Sequence, residues 1–116
     1  MATPVPNTND GDVNMSPVAY ERILVDGALT LGKNVVHLTK AGVLAATLAA
    51  PTDPDMNGQS VKIVSQTAQA HVITATDLIN GDNDTLTWGG AVGDMVVLYA
   101  DGGEWFTGEL INVTVG

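Results

Sequence analysis

Asp53, Asp55 and Asn57 alternate with Pro54 and Met56 and lead to Gly58, the opening of a calcium loop of the EF-hand type, in which alternate oxygen ligands and a mid-loop glycine wrap the ion. The pattern then fails. The twelfth position, where a bidentate Glu belongs, is Val64, the flanks favour β-structure, and Pro54 stiffens the start. An Asp- and Asn-rich turn is the simpler role, and Asp82 and Asp84 with Asn80 and Asn83 make a second one. His37 and His71, the two imidazoles, sit in separate β-favouring runs without a Cys, His or carboxylate cluster at metal-ligand spacing. Ser65, His71 and Asp77 supply the side-chain types of a nucleophilic triad. There is, however, no strained Gly-x-Ser-x-Gly elbow, no Gly-rich phosphate loop with Lys, and no carboxylate pair set apart from ordinary turn acids. The residues therefore predict no catalytic, cofactor-binding or metal site, no cofactor, and a protein that is not an enzyme. Trp88, Tyr99, Trp105 and Phe106 have the rings that stack on sugars in a carbohydrate- or receptor-binding fibre head; burial in a core is the other use for all four.

The elements that position these residues are short. From Gly93 to Thr107 the sequence reads GDMVVLYADGGEWFT, two apolar runs flanking Asp101-Gly102-Gly103. Asp and Gly tolerate the positive φ of tight hairpin turns, so this is a predicted hairpin. On its first strand Met95, Val97 and Tyr99 alternate with Val96, Leu98 and Ala100, so both faces are apolar and both call for cover. Further β-favouring runs start at Arg22, Ala28, Val35, Val43, Ser60, His71, Thr85 and Leu110, separated by Gly, Asn and Asp turns. The Ala-rich AGVLAATLAA at 41–50 also suits a helix, but its alternation reads as a strand ended by Pro51. No fixed repeat is visible. The pattern predicts an all-β fold, short antiparallel strands in a small β-sandwich or barrel of jelly-roll-like form, spanning 20–116. Before it, 1–19 contains Pro4, Pro6 and Pro17 and no apolar period. That segment is either a disordered tail or an extended arm with Val5, Val13, Met15, Val18 and Tyr20 as spaced anchors.

Composition limits what such a domain can be. In 116 residues there is one Phe, two Trp and two Tyr, so the core is built from small aliphatics, and burial between subunits becomes the compensating source of stability. Without Cys no disulfide contributes. Thirteen acids against four cations give a net charge of −9, and Arg22, Lys33, Lys40 and Lys62 are scattered. Phosphate neutralisation needs clustered cations, so neither nucleic acid nor an anionic membrane is an expected partner. The first residues have neither a basic nor an apolar signal region, and no apolar run approaches the ~20 residues of a membrane span, so the chain is expected to be soluble. Homo-oligomerisation is expected, with Met95, Val97, Tyr99, Ile111 and Val113 as subunit-interface residues.

From Val25 onward, VDGALTLGKNVVHLTKAGVLAATLAAPTD, the Gly58 turn with VKIV, QAHVITATDLING and GDMVVLYADGGEW together resemble small β-rich virion proteins of tailed bacteriophages, the capsid decoration (cement) proteins and related fibre-like modules. The likeness is one of pattern and carries no catalytic signature. It implies a structural protein, made in the cytoplasm of a bacterial host, that binds the major capsid protein on the outer shell as a trimer, with the N-terminal segment and its Val5, Val13, Met15, Val18 and Tyr20 as capsid contacts. It leaves placement on head or tail open.

Overall fold

A computed structural model describes residues 19–116, and the β-favouring runs become ten strands: β1 (Tyr20–Ile23), β2 (Gly27–Ala28), β3 (Val35–Leu38), β4 (Ala45–Thr47), β5 (Ser60–Ser65), β6 (Val72–Ile79), β7 (Asn83–Trp88), β8 (Met95–Asp101), β9 (Glu104–Ile111) and β10 (Val113–Val115). The fold is all-β, a curled mixed sheet. Its one helical element among the described residues is a 3₁₀ turn at Pro54–Met56. The arm anchors Val5, Val13, Met15 and Val18 lie outside the described residues, whereas Tyr20 is the first residue of β1.

The hairpin forms as its turn residues demand. Asp101 pairs with Glu104 across a two-residue loop, and Gly102 and Gly103 both take positive φ, 60° and 82°, the type I′ geometry whose twist matches the flanking strands. The first half of the domain departs from the antiparallel expectation. Strands β1, β3 and β5 pair in parallel, and so do β2, β4 and β6. Alternate strands thus belong to alternate ladders, and each successive pair, β1–β2, β3–β4 and β5–β6, makes one coil stacked on the next. Short corners permit this because a parallel neighbour is reached only after the chain has travelled through the other ladder. The second coil is longer than the first, chiefly by the loop from Pro51 to Gly58, so the repeat has no fixed period. The last coil is closed by antiparallel strands: β8 on β5, β9 on β8, β7 on β6 and β10 on β7.

Inward residues of both ladders meet in one core: Ile23, Val36, Leu38, Val61 and Ile63 from one side, Ala46, Ile73, Ala75 and Leu86 from the other, with Trp88, Val96, Leu98 and Trp105 towards the closed end. The Ala-rich segment is a strand with Leu44, Ala46 and Leu48 buried and Val43, Ala45 and Thr47 exposed. Only one of its two apolar faces is covered. The first coil is the open end of the stack. The carbonyls of Ala19 and Ile23 accept from the N–H groups of Val35 and Thr39, so the backbone groups of Tyr20 and Arg22 point away from β3, toward no strand among the described residues. Glu21, in register with Val36 and Ile63, aims its carboxylate over the end of the core and accepts from Thr30 Oγ1 at 2.9 Å. An inward charge at a sheet edge discourages further strand pairing.

Candidate functional site

The polar side chains that could do chemistry are occupied by architecture. His71, just before β6, is fully buried. Its Nδ1 accepts from the Leu44 N–H at 3.0 Å. Thr67 Oγ1 donates its proton to the Lys40 carbonyl at 2.8 Å and therefore accepts from His71 Nε2–H at 2.9 Å. The ring is neutral and fully bonded, a clamp between the corner preceding β4 and the start of β6. Burial holds its pKa below the ordinary imidazole value, and the nearby Lys40 ammonium adds to the shift. Ser65 Oγ donates to the Thr67 carbonyl. Asp77, with φ 59°, lies far along β6 and its N–H donates to Asp84 Oδ1. The triad types are not brought together. His37 stands half-buried on β3, its Nδ1 accepting from Gln66 Nε2 at 2.8 Å and its ring edge-on to Tyr20, centroids 4.9 Å apart.

The Asp-rich loop is likewise self-contained. Asp53 Oδ1 caps the 3₁₀ turn by accepting from the Asp55 N–H at 2.9 Å, and Asn57 Oδ1 accepts from the Gly102 N–H at 3.0 Å, which pins the loop to the β8–β9 turn. No three of His, Asp and Glu stand within shared reach of a metal ion among the described residues. Asp26 Oδ1 accepts from Lys40 Nζ at 2.9 Å and from the Ala45 N–H at 3.0 Å, joining the first and second coils. The Ala45 N–H foremost, then Lys40, holds that carboxyl below the usual carboxylate range. A second clamp, missed in the sequence, centres on buried Asp94. Its Oδ2 accepts from the Ala91 N–H and from Asn112 Nδ2, and its carbonyl accepts from Trp88 Nε1 at 3.0 Å. Asn112 takes positive φ, 54°, and its side chain lies so close over Gly89 that any Cβ there would overlap it.

Of the four aromatic candidates, Trp88 and Trp105 are core residues, 1% and 3% exposed, with the Trp105 Nε1–H donating to the Ala49 carbonyl. They present no stacking face to a sugar. Tyr99 and Phe106 are exposed and directly opposite each other on β8 and β9. Val113, expected at a subunit interface, turns inward opposite Trp88 and is 7% exposed; its strand packs its own core.

Among the described residues nothing covers the outer face of β1, β3, β5, β8 and β9, and the register sets out its rows. Arg22, His37, Val64, Met95 and Ile111 form one row across all five strands. Tyr20, Val35, Lys62 and Val97 form the next, ending at the bulge where Gly108 and Glu109 stand opposite Val97. Ser60, Tyr99 and Phe106 form the third, and Asp101 and Glu104 the last. The Tyr99 ring leans over Gly108, where a Cβ would stand 2.6 Å from Cε2. Tyr20, Tyr99, Phe106 and Ile111 are each 41–47% exposed, while Val35, Val64, Met95 and Val97 are half-buried. Met95, Val97, Tyr99 and Ile111 thus share one face, and Tyr20, expected in the arm, stands on it as well. Comparison with protein-family models, with curated proteins and with solved structures returns no match.

Proposed function

We propose that this protein is a non-enzymatic structural module that assembles with copies of itself and decorates a larger protein lattice, the capsid of a tailed bacteriophage being the lattice that the sequence resemblance implies. The observation that supports this best is the apolar face of β1, β3, β5, β8 and β9, uncovered among the described residues, on a domain whose buried polar groups serve the fold. Contiguous exposed apolar surface of this kind marks an interaction site. Three copies is the number implied by the resemblance, and residues 1–19 are the segment assigned to the major capsid protein. Attachment needs no chemistry, since a protein that binds only the assembled shell stabilises it by its binding free energy.

The test is co-sedimentation of the purified chain with undecorated capsids, followed by the unfolding temperature of the shell. Saturable binding with a raised shell transition is expected. A chain that neither binds capsids nor associates with itself overturns the proposal.

A further inference from the structure

We propose that the outer face of β1, β3, β5, β8 and β9 receives the same face of a second copy about a two-fold axis, with the β1 edge of one copy laid over the acidic β9 edge of the other; this rests on the self-assembly reading above, and because such a contact closes at two copies it makes the pair, not the three copies of the resemblance, the unit of association. The face is polarised across the strand order. Arg22, on β1, stands at one edge and Lys62 on the central strand β5, two of the four cations in the chain. Glu104 and Glu109 on β9, with Asp101 beside them on β8, make the other edge acidic. Apolar side chains, chiefly Val64, Met95, Val97, Tyr99 and Phe106, lie between and around them.

Two observations favour a copy of this chain as the occupant. First, the charge pattern is self-complementary. Reversing a second copy across the strand order sets its Arg22 edge over the acidic β9 edge of the first, and its own acidic edge over Arg22 of the first, as a closed symmetric contact requires. In a chain of net charge −9, most other surfaces repel one another, so this face is where two copies approach at least electrostatic cost. Second, among the described residues the charges on it form no ion pair with one another; the pair found there is Lys40–Asp26, away from this face.

Sedimentation velocity over a concentration series tests this on the full chain. Val97→Asp places a charge in the apolar middle on an outward side chain and is expected to raise the dissociation constant at least about a hundredfold, with circular dichroism unchanged. Arg22→Glu and Glu109→Lys are each expected to weaken association about tenfold, and the double reversal to recover most of that loss. Wild-type association that survives Val97→Asp, or a double reversal no tighter than the two single losses combined, overturns the proposed surface while leaving self-assembly standing. A wild-type chain that stays monomeric at every concentration overturns both.

Discussion

Buried polar residues in this domain act as joints, and His71 shows how such a joint reads pH. The fold accepts the ring only as a neutral group with Nδ1 free to accept from Leu44, and its pKa is accordingly depressed. The stability it contributes is complete above the ordinary imidazole value of 6.5 and is lost as pH falls from there through the lowered folded value. Urea denaturation from pH 8 to 5 is expected to show a falling unfolding free energy. His71→Gln, which can still accept from Leu44 and donate to Thr67, is expected to flatten that slope, and an unchanged slope would remove His71 from the account. Asp26 acts in a separate window, since its contribution is present above the ordinary carboxylate value and is lost only as pH falls through its own lowered one. At the other clamp, Gly89→Ala forces a Cβ into the Asn112 side chain. The expected cost is about 1–3 kcal/mol from overpacking, read as a lower urea midpoint at constant slope.

Among the elements, the open first coil and the closed last one are managed differently. Antiparallel strands cover the last coil, whereas the first relies on Glu21 aimed over the core end and held by Thr30. Glu21→Val continues the apolar column of Val36 and Ile63 up to an unpaired edge. The variant is expected to associate through β1 into larger species, detected as a rising light-scattering signal with time. Strand identity was largely legible in the sequence: the hairpin at Asp101-Gly102-Gly103 is where the turn residues put it, and Val43–Ala50 contains a strand despite its alanines. Pairing was not legible. Short alternating runs look alike whether their neighbour is antiparallel and adjacent or parallel and a coil away, and the Pro51–Gly58 loop breaks the spacing that would betray a stack. The outer face was legible in Met95, Val97, Tyr99 and Ile111. Tyr20 reads as an anchor of the arm and not as part of this face, and Val113 reads as outward because the positive φ of Asn112, which resets the alternation after β9, is not visible in the sequence.

For the molecule as a whole, every core residue among the described residues falls between Ile23 and Val113, and deleting residues 1–18 is expected to leave the domain folded with a thermal transition within a few degrees of the full chain. If the segment binds a capsid, the truncated protein loses attachment while keeping self-association, a separation that co-sedimentation and sedimentation velocity resolve together. The order of strands also governs how the chain can be made. Pairing runs β1 to β3 to β5 to β8, so each early strand leans on one translated later, and the support for the whole first ladder is Met95–Asp101. At about 5–20 residues per second, the ribosome releases the first coil several seconds before β8 exists. During that interval the nascent chain has ladders to form but nothing to close them, and folding is expected to begin with the local hairpins at the C-terminal end and travel backwards toward Tyr20. A chain cut before Met95 is then expected to stay unfolded, which circular dichroism would show.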